Sequence, residues 1–132
     1  MPSPPFQRLD FLYTPSSDVA ADLSSFEGLG GTIAFAIESD GTRVGAVDLA
    51  EDGPLVLFAD HLEGERPITV FRVTDLQGTL DELEPRGWSP VRRLEIPQGP
   101  CASLRSPNGH RVALYQLTRP EVGEHFMGRR DF

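Results

Sequence analysis

The chain has 132 residues, 39% of them hydrophobic and 24% charged, with a net charge of −8. That is the profile of one soluble globular domain, long enough to bury roughly two-thirds of its unfolded surface. Twelve acids face only Arg8, Arg43 and Arg66 in residues 1–66, eight acids face nine arginines in residues 67–132, and lysine is absent; a nucleic-acid partner finds no basic patch here, although the acidic half could attract a cation.

No apolar run approaches the roughly 20 residues that a membrane helix needs, and MPSPPFQRLD has no signal-peptide core, so a cytoplasmic protein with no membrane partner is expected. Cys101 stands alone, which excludes an intrachain disulfide and a thiolate metal cluster and reads as a small buried hydrophobe.

Along the chain, FQRLDFLYTP is predicted to be extended. Asp18 is placed as the N-cap of a helix over VAADLSSFE, in which Val19, Leu23 and Phe26 recur at helical spacing and Gly28, Gly30 and Gly31 supply the stop. Three strands follow, TIAFAIE, TRVGAVDL and PLVLFAD, joined by the turn signals SDG and AEDG. After LEGER (62–66), the strand PITVFRV leads to a helix capped by Asp75 that runs through LQGTLDELE to Gly87. Strands near VRRLEIP, CASLRS and RVALYQL complete the series. The tail, RPEVGEHFMGRRDF, has no clear period; disorder, or packing of Phe126, Met127 and Phe132 on a partner subunit, are both open readings.

The order strand, helix, three strands occurs twice, and sliding the chain by 57 residues aligns the copies without a gap. Asp18 falls on Asp75, Leu23 on Leu80, Phe26 on Leu83, Gly30 on Gly87, Glu38 on Glu95, and LVLFA on VALYQ. One such unit leaves a sheet face uncovered, which a second copy or a second chain would cover. The expected architecture is therefore α+β: two βαβββ modules forming a curved, partly open barrel-like sheet with the helices outside. It would form a single domain over 1–132, with module 1 at about 6–61, module 2 at about 67–118 and a tail at 119–132.

SPNGHRVALYQL, Ser106 to Leu117, reads as a turn followed by a half-buried strand. Together with ITVFRVTDLQGTLDELEPRGW, Ile68 to Trp88, it resembles the vicinal oxygen chelate superfamily, which includes glyoxalase I, bleomycin-resistance proteins, fosfomycin-resistance enzymes and extradiol dioxygenases. The resemblance covers about residues 6–118, most specifically in the closing motif. It implies a concave sheet face where metalloenzymes of the family hold a divalent ion with His, Glu or Gln, chelating two neighbouring substrate oxygens. Carried over residue by residue, those ligand places fall on Phe11, Val56, Ile68 and Ala113, none of which can bind a metal. A slip of one residue would substitute Asp10, a lone carboxylate.

The expectation is therefore a protein without metal or other cofactor that binds a small organic ligand, hydrophobic or aromatic, as a homodimer. By strand alternation the ligand face would comprise Phe11, Tyr13, Val56, Phe58, Ile68, Val70, Arg72, Arg111, Ala113 and Tyr115. The rival expectation is a metal-dependent lyase, isomerase or dioxygenase with ligands from Asp10, Asp60 or His61. A Cys101 nucleophile finds no elbow motif in QGPCASL, and FEGLGG follows a helix, the reverse of a phosphate-binding loop.

Overall fold

Residues 4–132 are described by the structure, a computed structural model. In chain order it contains β1 (Arg8–Pro15), α1 (Val19–Gly28), β2 (Thr32–Ser39), β3 (Thr42–Asp48), β4 (Leu55–Ala59), β5 (Ile68–Val73), α2 (Leu76–Leu83), β6 (Ser89–Ile96), β7 (Gly99–Arg105), β8 (Arg111–Gln116) and α3 (Gly123–Phe126). The class is α+β, with the strand–helix–three-strand order repeated.

Both principal helices start where their caps dictate. The Asp18 carboxylate accepts from the Ala21 N–H at 3.0 Å, and the Asp75 carboxylate from the Gly78 N–H at 3.2 Å, each answering one of the orphan donors of a first turn. The stops also correspond. Gly30 and Gly87 have φ of +106° and +92°, a left-handed conformation that a side chain would strain.

The chain divides into two compact units: one comprises the segment up to Asp10 with Ile68–Val122, the other Phe11–Pro67 with Gly123–Phe132. In the second unit the strand order is β2-β3-β4-β1, with β1 and β4 parallel and the other pairs antiparallel. In the first it is β5-β8-β7-β6, with β5 and β8 parallel. There the chain just before β1 lies beside β5, where the Gln7 N–H donates to the Arg72 carbonyl at 2.8 Å.

In each unit the strands bury one face under the helix. In the second unit Val19 and Leu23 of α1 meet Ala36, Val47 and Phe58, and Phe26 stacks on Phe58 with ring centroids 5.5 Å apart. In the first unit Leu76 and Leu83 of α2 meet Val73, Leu104, Val112 and Leu114. Fully burying such side chains is worth about 1.5–3 kcal/mol each, so these two clusters fix which face of each strand is helix-bound.

The repeat holds at 57 residues only as far as the third strand. β2 and β6 begin at Thr32 and Ser89, β3 and β7 at Thr42 and Gly99. The next connection then differs in length: residues 49–54 join β3 to β4, whereas only 106–110 join β7 to β8. One extra residue turns every later side chain to the opposite face. Val56 and Phe58 thus correspond to Val112 and Leu114, and all four lie in the clusters under the helices. The expected place of Val56 and Phe58 beside Phe11 and Tyr13 is corrected: Leu55 and Leu57 stand there, in register with those two residues.

The tail is ordered on its own chain. After a 3-10 turn over Pro120–Val122 and the single turn of α3, it runs along β2, with a parallel bridge between Ala36 and Arg130. Phe126 meets Phe35 edge-to-face at 5.0 Å, Phe132 joins the α1-side cluster, and Met127 is exposed. Among the described residues no helix is long and apolar enough to cross a membrane.

Candidate ligand-binding site

β5 and β8 build the polar part of the site. Their register sets Val70 opposite Ala113 and Arg72 opposite Tyr115, and β7 adds Cys101 opposite Tyr115. Thr69, Phe71, Val73, Val112 and Leu114 occupy the alternate positions, and all but Thr69 pack in the α2 cluster. The first group therefore occupies the face turned away from α2.

Asp10 organises that face. It is 8% exposed, yet both carboxylate oxygens are engaged. Oδ1 lies 2.7 Å from Arg8 Nε and Oδ2 lies 2.8 Å from Arg72 Nε. The Tyr115 hydroxyl also donates to Oδ2. A buried carboxylate is tolerated only when so compensated. Burial, and then the Asp10 acceptor, push the Tyr115 phenol up to about 12, so it is a neutral donor at physiological pH. Partial burial works against the Arg72 cation, but its hydrogen bonds to Asp10 and Tyr115 prevail and hold it more firmly protonated. Two guanidiniums against one carboxylate give the cluster a net charge of +1.

Of the remaining expected residues in this unit, Ile68, Val70 and Ala113 are buried and Arg111 is half-buried opposite Arg105. Arg111 has no ion pair among the described residues. Cys101 is 5% exposed, and burial pushes its thiol up to about 11, the reverse of what a nucleophile requires. On the α2 side a separate groove of about 170 Å³, open to solvent, is floored by Leu80, Trp88 and Pro90; it contains none of the expected ligand residues.

In the second unit the face turned away from α1 carries Phe35, Ala46 and Leu57, with Phe11, Tyr13 and Leu55 packed on them. Tyr13 is also pushed up to about 12 by burial, and its hydroxyl lies 3.4 Å from His61 Nε2. Asp60 accepts from the Arg43 N–H at 3.0 Å.

A divalent metal does not fit the residues at the places implied by the family. Phe11, Ile68 and Ala113 have no donor atom, and neither has Leu57, which takes the place first given to Val56. Asp10, the carboxylate that a one-residue slip would supply, is already bound to two cations and a phenol. Among the described residues no three His, Cys, Asp or Glu side chains assemble as a metal group.

Two features were hidden from the sequence. Asp10 is the hub of the polar face, and its only local hint was a neighbouring arginine, Arg8. Leu57 was displaced by the one-residue difference between two loops, which a comparison of their lengths could have revealed.

No family model and no curated protein matches the chain. Solved structures do match. A methylmalonyl-CoA epimerase from Mycobacterium tuberculosis is 14% identical with a TM-score of 0.74, over 94% of this chain and 96% of that one. A glyoxalase I variant from Zea mays is 16% identical with a TM-score of 0.66, over 83% of this chain and 43% of that one. A catechol 2,3-dioxygenase is 13% identical with a TM-score of 0.60, over 85% of this chain and 40% of that one. At such identities the likeness concerns the fold and not the chemistry. The chain therefore shares the fold of these solved proteins.

Proposed function

We propose that the protein binds a small organic compound without a metal, in the manner of the glyoxalase and bleomycin-resistance type, on the sheet faces turned away from the helices. The supporting observation is Asp10. The carboxylate that a one-residue slip would offer to a metal is already paired with Arg8 and Arg72 and bonded by Tyr115. The apolar side chains on this face are Ile68, Val70 and Ala113, each at most 9% exposed, and they lie beside a cluster of net positive charge. Apolar burial would supply affinity at about 25 cal/mol per Å², and Arg72, with Arg111, would orient an anionic group such as an aromatic carboxylate.

Two measurements test this. Protein purified without chelator or His-tag, exposed to Ni²⁺, Zn²⁺, Fe²⁺ and Mn²⁺ and then dialysed, is expected to retain substoichiometric metal by mass spectrometry. One tightly held ion per chain would overturn the metal-independent reading. A thermal-shift screen of aromatic acids is expected to yield a ligand whose affinity drops by about 1 kcal/mol or more in Tyr115→Ala, as for a buried aromatic anchor; unchanged affinity removes Tyr115 from the site. The working state is proposed to be a homodimer, for which sedimentation should give twice the chain mass.

A further inference from the structure

The helix-free face of the second unit is covered by the chain's own C-terminal segment. Phe126, at the end of α3, lies against Phe35 with the rings at 76° and 5.0 Å apart, and joins the cluster of Phe35, Ala46 and Leu57. The segment then follows β2. Gly128 N–H donates to Ala34 O at 2.6 Å, Ala36 N–H to Arg129 O at 2.8 Å, and Asp131 N–H to Ala36 O at 2.7 Å. The Asp131 carboxylate accepts from the Glu38 N–H at 2.9 Å. Phe132 ends in the cluster on the opposite, α1 side, where the Arg43 guanidinium lies 4.3 Å from its ring centroid. The tail thus clasps β2, with one aromatic ring on each face of the sheet.

The two rings are not held equally. Phe132 follows four backbone or carboxylate bonds to β2, the Arg129–Asp131 ion pair and a contact from Arg130 to Glu27 at 3.3 Å. Phe126 belongs to one helical turn, Gly123–Phe126, bracketed by Gly123 and by Gly128 at φ +85°. Of its neighbours, Glu124 and His125 are exposed and Met127 is 51% exposed. A short turn between two glycines with few buried contacts is the kind of element that opens at small cost.

We infer that Phe126 is a built-in occupant of a second ligand position, displaced when a planar aromatic compound takes its place on Phe35, Ala46 and Leu57, while Arg129–Phe132 stays attached to β2. Charge narrows the ligand class. This unit carries thirteen carboxylates against Arg43, Arg66, Arg129 and Arg130, a net of −9, which favours a neutral or cationic aromatic over an anion. The inference rests on reading the helix-free faces as ligand-binding. A self-occupied site binds with an apparent affinity reduced by the fraction of molecules in which it is open.

The test uses the full chain and phenylnaphthylamine, a neutral aromatic probe that fluoresces in apolar surroundings. Phe126→Ala is expected to bind it about fivefold to tenfold more tightly than the wild type, with Phe126→Leu between them, circular dichroism confirming that each variant is folded. In the wild type, NMR cross-peaks between the Phe35 and Phe126 rings should fade as probe is added. Binding by the wild type with equal or weaker affinity in both variants, or with cross-peaks intact, overturns displacement and leaves the ligand-face reading standing. No binding by wild type or variants up to the probe's solubility overturns both for this face.

Discussion

Replacing Asp10 with alanine removes the group to which Arg8, Arg72 and Tyr115 all converge. Tyr115 is 1% exposed, and losing the acceptor at Asp10 costs about 1–3 kcal/mol. The Arg72 side chain is 27% exposed, so water takes over part of its partner's role and the loss stays below the about 3–5 kcal/mol of a fully buried pair. Arg8, at 53% exposure, adds about 0–1 kcal/mol. These losses share one carboxylate and are not additive, so the net destabilisation is about 2–4 kcal/mol. Urea unfolding at neutral pH should show it as a lower midpoint with an unchanged slope, and thermal melting as a fall of about 8–15 °C. Asp10→Asn keeps the shape and one acceptor and should recover about half. A loss under about 0.5 kcal/mol for Asp10→Ala would refute the cluster as the organiser of this face, since it would mean the carboxylate is solvated.

Tyr13 and Tyr115 are the two tyrosines of the chain, and both phenols are pushed from 10.0 to about 12 by burial. The unfolded chain ionises first, so the stability they contribute is intact below about pH 10 and is lost between about pH 10 and 12. Phenolate absorbance should therefore show no titration near pH 10 until the protein unfolds; a reversible ionisation there in folded protein would show that these rings are wet. At Gly99, with φ +154°, an added Cβ would lie 2.1 Å from the Gln116 carbonyl oxygen, a backbone atom that cannot yield alone. Gly99→Ala should cost about 2 kcal/mol or more by urea unfolding, and near-wild-type stability would mean that the turn between β6 and β7 differs from the one described.

The sequence alone determined the elements of the two repeats and their order, but not the helical turns of the tail. Asp18 and Asp75 cap because a carboxylate at that offset reaches an orphan N–H, and Gly30 and Gly87 terminate because only glycine takes their φ without strain. Alternation fixed which residues share a face within each strand, Val70 with Arg72 and Ala113 with Tyr115, whereas joining the two pairs on one face rested on the resemblance to the superfamily. Which face carries the helix is a property of packing, and the correspondence between strands passes through a loop whose length local chemistry does not fix. One residue in 49–54 was enough to exchange Val56 and Phe58 for Leu55 and Leu57. The convergence of Arg8, Arg72 and Tyr115 on Asp10, and the return of Phe126 to Phe35, span 105 and 91 positions at their widest. No periodicity encodes such contacts: a buried carboxylate and a displaceable ring acquire partners only when the chain has folded back on itself, and that the tertiary structure decided.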